Sequence, residues 1–155
     1  MQWCAKPDGK KHGRWAEWHS GGKLKTEGSY VEGKMEGRWI SSFETGVKQL
    51  EGEYRGGVKQ GVWTLYYEDG QRNREEIHAV GSREMKWTAW RQSGSKWADG
   101  TLLDHQAQGA YSEWHPNGAP AAQGQFEKGK KTGEWRYWSP DGKLTDAPQG
   151  DFTNE

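Results

Sequence analysis

The chain has 155 residues, enough for one domain, yet only 31% of them are hydrophobic, against ~45–50% in ordinary globular chains on a count that includes Gly. Its 22 basic residues balance 22 acidic ones, which argues against a general electrostatic grip on nucleic acid or on an anionic membrane, and no apolar run approaches the ~18 residues of a membrane-spanning helix. Disorder is excluded as well, because it goes with high net charge and few aromatics, whereas this chain carries 11 Trp, 6 Tyr and 3 Phe.

Residues 1–12 read as an N-terminal half unit. Gln2-Trp3-Cys4-Ala5 is expected to form a terminal strand, and Pro7-Asp8-Gly9 a turn, because Pro presets φ and Gly tolerates positive φ. Cys4 is the single cysteine, so no disulfide within the chain and no cysteine-based metal or redox motif exists. It reads as a small residue of the first strand; a lost upstream partner and a reactive thiol are the other readings. Residues 1–9 contain no apolar signal region, and the chain as it stands reads as cytoplasmic. Lys6 to Gly9 matches the end of a unit whose first half is missing. The N-terminus is therefore expected to fall inside a unit, and a periplasmic or secreted location is the alternative if an upstream signal has been removed.

From residue 13 onward one spacing governs the sequence. Gly13-Arg14-Trp15-Ala16-Glu17-Trp18 leads to a turn at Gly21-Gly22 and then to Glu27-Gly28-Ser29-Tyr30. The first aromatic returns every 24 residues, at Trp15, Trp39, Trp63, Trp87, Tyr111 and Trp135, and the turn glycine at Gly22, Gly46, Gly70, Gly94, Gly118 and Gly142. Six copies without drift define a repeat architecture. The units run 13–36, 37–60, 61–84, a divergent 85–108, 109–132 and 133–146. Each predicts a β-hairpin: a Trp-rich strand, a glycine turn, a second strand with alternating pattern (Leu24, Thr26, Gly28 and Tyr30 on one face), and a second turn at Glu32-Gly33. Successive hairpins then pair as an antiparallel meander. The strand glycine of each unit (Gly28, Gly52, Gly100, Gly124) is expected to be covered by a ring from a neighbouring strand.

Lapses cluster in the middle. Glu76 stands where the strand glycine belongs, Met85 replaces the glycine that opens a unit, and His105 interrupts the second-turn series of Gly33, Gly57, Gly81 and Gly129. The charged stretch from Gln71 to Met85 (Arg72, Arg74, Glu75, Glu76) predicts a loop or a distorted strand. Toward the end, Gln149-Gly150-Asp151-Phe152 echoes Glu27-Gly28-Ser29-Tyr30 two residues out of register. Residues 147–155 are therefore expected to form a terminal edge strand and tail, with Pro148 blunting the edge.

The residues Asp8-Gly9-Lys10…Gly13-Arg14-Trp15 and Glu27-Gly28-Ser29-Tyr30…Gly33, with their copies, make the sequence resemble the MORN (membrane occupation and recognition nexus) repeats over roughly residues 7–146. It is most similar to the bacterial variant described as the antitoxin component of toxin–antitoxin systems. The resemblance implies an all-β fold of tandem 24-residue hairpins in an elongated, twisted antiparallel sheet that binds other proteins. It implies no catalytic residues. A lipid-binding role is attributed to the family, and the balanced charge of this chain speaks against it.

No chemistry-bearing motif emerges. The five His (His12, His19, His78, His105, His115) have no metal-ligand spacing, and there is neither a phosphate loop nor a nucleophile elbow. His78 replaces Tyr30 and Tyr54 and reads as a packed ring. No enzyme, metal or cofactor is expected. The aromatics carry the functional question. Trp15 and Trp18 are three apart and point to opposite faces of a regular strand. One ladder then builds the core, and the second (Trp18, Tyr66, Trp90, Trp114, Trp138) is either buried by a curling sheet or exposed as a binding surface. The expected partner-binding residues are Trp18, Tyr66, Trp90, Trp114 and Trp138, with Arg72, Arg74, Glu75 and His105 from the irregular stretches. The expected partner is another protein, in the most specific version a toxin neutralised by an antitoxin or immunity protein. Glycan or cell-envelope recognition by the same rings, and self-assembly through open sheet edges, are the alternatives.

Overall fold

A computed structural model of the chain describes residues 9–146 and the backbone of residues 2–5. The expected terminal strand at 149–152 lies outside the described residues. The chain divides into two units, Met1–Ser82 and Arg83–Glu155. The first contains β1 (Gln2–Ala5), β2 (Lys11–Trp18), β3 (Leu24–Val31), β4 (Lys34–Ser42), β5 (Lys48–Arg55), β6 (Val58–Tyr66) and β7 (Arg72–His78). The second contains β8 (Glu84–Trp90), β9 (Lys96–Leu103), β10 (Gln106–Trp114), β11 (Pro120–Glu127), β12 (Lys130–Trp138) and β13 (Leu144–Thr145). Within each unit every strand pairs antiparallel with its neighbours in sequence. The fold is the all-β hairpin meander that the repeat predicts, with no helix among the described residues.

Two kinds of turn make the meander. At one end of the strands, the His19 amide donates to the Lys23 carbonyl (2.8 Å) and the Gly22 amide to the His19 carbonyl (2.9 Å). The same pair of bonds recurs at Phe43, Tyr67, Arg91, His115 and Ser139. At the other end sit two-residue turns with both residues at positive φ, namely Glu32-Gly33, Gly56-Gly57, Asp104-His105 and Lys128-Gly129. This is the hairpin turn whose twist matches that of the strands.

The core comes from glycine and indole acting together. Within β4, Gly37 takes φ 71°, and the pairing with β3 jumps from Ser29↔Glu36 to Glu27↔Ile40. Three residues of β4 therefore face Gly28, a bulge that the positive φ of a glycine permits. It lays the Trp39 ring flat on Gly28, where a Cβ would stand only 2.2 Å from Trp39 Cδ2. Trp63 covers Gly52, and Trp135 covers Gly124, in the same way. The expected covering of strand glycines is thus present at Gly28, Gly52 and Gly124, with the ring coming from the unit that follows, whereas at Gly100 the nearest ring atoms, of Tyr111 and Trp87, leave room for a Cβ at 3.4–3.5 Å. Between these flat indoles stand Tyr30 and Tyr54, edge-on to their neighbours: Tyr30–Trp39 at 5.2 Å and 86°, Tyr54–Trp63 at 4.8 Å and 74°. In the second unit Phe126 plays this part between Tyr111 and Trp135. Such edge-to-face pairs add ~0.5–1.5 kcal/mol each beyond the area they bury. The first ladder is the core, with Trp63 only 1% exposed.

One expectation is corrected. Residues 72–78 are not a loop or a distorted strand. They form β7, paired in register with β6 from Gly61↔His78 to Leu65↔Arg74. Backbone pairing does not need a glycine at 76, and the Glu76 carboxylate opposite Trp63 is paired with Arg74 Nε (3.2 Å) and Lys59 Nζ (3.8 Å), with His78 Nε2 3.2 Å away. His105, which interrupts the glycine series, keeps the turn. It takes φ 66°, as glycine does elsewhere in the series, and β9 and β10 close around it as an ordinary hairpin.

Candidate functional site: the face of the second aromatic ladder

The residues opposite the core ladder follow from the strand register. In the first unit Ala16↔Glu27, Ile40↔Glu51 and Thr64↔Glu75 share one face, together with Arg38 and Tyr66. Glu51 organises this face. Arg38 Nη2 donates to Glu51 Oε2 (2.6 Å), Lys48 Nζ donates to Oε1 (2.9 Å), and the Tyr66 hydroxyl donates to Oε1 as well. These three donors, Arg38 foremost, hold the Glu51 carboxyl down from its ordinary 4.5 to about 2. Burial, reinforced by the same carboxylate, pushes the Tyr66 phenol up to about 12.

A motif that the glycine spacing conceals runs along this face. Lys48–Glu51, Arg72–Glu75 and Lys96–Asp99 are ion pairs three residues apart, at 2.9, 3.0 and 2.7 Å, and they recur with the 24-residue period. In two of the three pairs the cation lies over a second-ladder ring of the next unit: Lys48 Nζ is 5.3 Å from the Tyr66 centroid and Lys96 Nζ 3.9 Å from that of Trp114. In the Lys48 and Lys96 pairs the carboxylate thus fixes the cation, and the cation fixes a ring. The ladder is neither buried nor bare. Tyr66, Trp90, Trp114 and Trp138 are half-buried, and Trp18 is exposed at 43%. A sugar would stack on a ring face, and Lys96 occupies one face of Trp114.

The second turns and first turns separate the residues expected to act together. Trp114 ends β10 and His105 precedes its start, so up to ~31 Å of strand separates them at the ~3.4 Å rise of an antiparallel strand. Arg72 and Glu75 are on the second-ladder face with Tyr66, whereas Arg74 reaches Glu76 on the core face. Val62 and Ile77 pair directly across β6 and β7 on the second-ladder face, exposed at 53% and 51%. The hydrophobic reading missed them, because isolated aliphatics in a polar strand carry no periodic signal. Exposure of such a pair on the face that carries the second-ladder rings marks a surface suited to contact.

Side chains at the first turns tie the hairpins of each unit together. His19 Nε2 binds the Ser42 carbonyl (2.8 Å), Arg91 Nη2 the Trp114 carbonyl (2.7 Å), and His115 Nε2 the Trp138 carbonyl (2.7 Å). All three occupy one repeat position and reach the carbonyl 23 residues on. The ring of His19 or His115 is therefore a structural tie. Among the described residues no group of three or more His, Cys, Asp or Glu is arranged to hold a metal ion.

Residues 11–32, 59–78 and 131–145 match the MORN repeat variant family. The first segment spans the β2–β3 hairpin, the second β6–β7, and the third β12–β13. The hairpins between them repeat the same strand and turn geometry. The match to the MORN variant over 59–78 includes the strand in which Glu76 has replaced glycine. No curated protein matches the chain.

Proposed function

We propose that this chain is a non-enzymatic repeat scaffold that binds another protein through the face of its second aromatic ladder. The observation that carries the reading is the arrangement of Trp18, Tyr66, Val62 and Ile77 on one face of the first unit, with Tyr66 held by Glu51 and Lys48. Rings fixed in this way lose little conformational entropy on binding, and Trp and Tyr are typical interface anchors. The ion pairs around them supply a polar rim. The match to MORN-variant segments supports binding rather than catalysis as the role. The finer version, an antitoxin or immunity protein that occludes a toxin, rests on the resemblance alone.

The test is quantitative capture from lysate of the source organism, read by mass spectrometry, with three baits: wild type, Trp18→Ala/Ile77→Ser and Trp114→Ala. The proposal expects one near-stoichiometric protein, depleted at least ~10-fold with a variant bait whose melting curve is unchanged, since ~1.4 kcal/mol of lost contact already gives that factor. Equal capture by all three baits rejects this face as the binding surface. For the antitoxin version, the captured protein must arrest growth when expressed without this chain.

A further inference from the structure

We propose that Glu113 anchors a second binding site, on the core face of the second unit, for a primary ammonium group. Glu113 is 8% exposed. Its neighbours in the cross-strand row are alanines: Ala98 on β9 and Ala122 on β11. Trp97 Nε1 donates to Oε1 (3.3 Å) and the Tyr111 hydroxyl to Oε2 (3.1 Å). Both donors are neutral, and burial together with Glu113 pushes the Tyr111 phenol up, so it remains a donor. No described residue gives Glu113 an ion pair. A buried carboxylate ordinarily has a countercharge, and this one accepts only two of the ~four hydrogen bonds it can take.

The protein contains its own template for the missing group. Glu17 occupies the same repeat position as Glu113, and the residue eight further on, Lys25, places its ammonium 3.1 Å from the Glu17 carboxylate. The residue eight beyond Glu113 is Ala121. One copy therefore carries both halves of the ion pair and the other carries only the acid, sunk deeper. The fourth repeat, 85–108, adds a further departure. Trp97 sits at a strand bulge whose other copies are Lys25, Gln49, Asn73 and Ala121, so its indole is not part of either ladder. An indole and a phenol beside a carboxylate suit an alkylammonium, which gains a charged hydrogen bond and a cation–π contact together. The site is on the opposite face from the second ladder, and it stands or falls independently of the protein-binding proposal.

The probes are Nα-acetyl-lysine methylamide and butane-1,4-diamine, with Nα-acetyl-norleucine methylamide as the neutral control. They are titrated into the full chain while the Trp97 indole N–H is followed by NMR. The expected result is a saturable shift with the amines and none with norleucine. Preference for the lysine derivative identifies a protein side chain as the source, and preference for the diamine a free polyamine. Glu113→Gln, which retains an acceptor but not the charge, is expected to weaken binding at least ~10-fold and to melt no lower than wild type, because it removes an unpaired buried charge. Ala121→Lys, which restores the template, is expected to abolish the titration by filling the site. No saturable shift in wild type, or equal affinity in Glu113→Gln, overturns the proposal. So does a large loss of stability in Glu113→Gln, which makes the carboxylate a structural acceptor.

Discussion

Replacing Gly52 by Ala adds a single methyl group in an extended strand, and the structure makes it one of the costliest changes available. The new Cβ would lie 2.1 Å from Trp63 Cδ2, 2.3 Å from Cε2 and 2.5 Å from Cγ, where carbon atoms require ~3.5–4.0 Å. The obstacle is the middle of an indole, not a mobile chain end, so the ring must leave. Trp63 is the most buried large side chain among the described residues, its Nε1 donates to the Glu53 carbonyl (3.1 Å), and Tyr54 packs edge-on against it. A ring of this kind buries ~150–250 Å², which at ~25 cal/mol per Å² is ~4–6 kcal/mol. The strand relaxes in part, and we expect Gly52→Ala to cost ~3–5 kcal/mol, comparable to Trp→Ala in a core. Gly100 is the internal control. A Cβ there meets Tyr111 Cδ2 at 3.4 Å and Trp87 Cε2 at 3.5 Å, near ordinary contact. Gly100→Ala is therefore expected to be neutral or to stabilise by up to ~1 kcal/mol through the unfolded chain. Urea denaturation followed by Trp fluorescence and far-UV circular dichroism measures both. A wild-type midpoint for Gly52→Ala, or an equal loss for both variants, would refute the view that indoles seated on glycines make the core.

Further expectations concern the turns and the charged face. His105→Gly should stabilise by ~1 kcal/mol in the same denaturation assay, because a side chain at φ 66° carries a strain that glycine lacks; an unchanged or lower midpoint contradicts that. His115→Ala should cost ~1–3 kcal/mol, since it removes the donor to the Trp138 carbonyl from a buried position, and calorimetry on the variant checks it. Glu51 titrates from about 2 in the fold against an ordinary 4.5, so its stabilising contribution is fully present above pH 4.5 and is lost as pH falls through 2. The stability gap between wild type and Glu51→Gln should hold constant above that range and close toward pH 2, and a gap independent of pH would dissociate Glu51 from the network.

The strand boundaries were legible because turn glycines and large aromatics report backbone needs directly: Leu24–Val31 is the expected second strand, residue for residue. The pairing of indole with glycine was legible in kind but not in partner. Period-2 reasoning assumes a regular strand, and the bulge at Gly37 is what carries Trp39 onto Gly28. Reading lost glycines as lost structure failed at Arg72–His78, where the strand keeps its pairing and a carboxylate with three basic neighbours replaces the ring seat. The candidate site was legible in its rings alone. The repeating Lys48–Glu51, Arg72–Glu75 and Lys96–Asp99 pairs hide among many charges. Arg74 and His105 were grouped with the ladder by their irregularity, although register places one on the opposite face and the other at the far end of a strand.

The central claim, that the second-ladder face is the contact surface for a protein, is tested most directly by site-specific photo-crosslinking in the source cells. A benzophenone amino acid is placed at Trp18, at Ile77, or at Met35 on the core face, which pairs with Tyr30. The account predicts one cross-linked protein of constant mass from positions 18 and 77 and none from position 35. Cross-links from position 35 alone, or equal labelling of many proteins from all three, would contradict it.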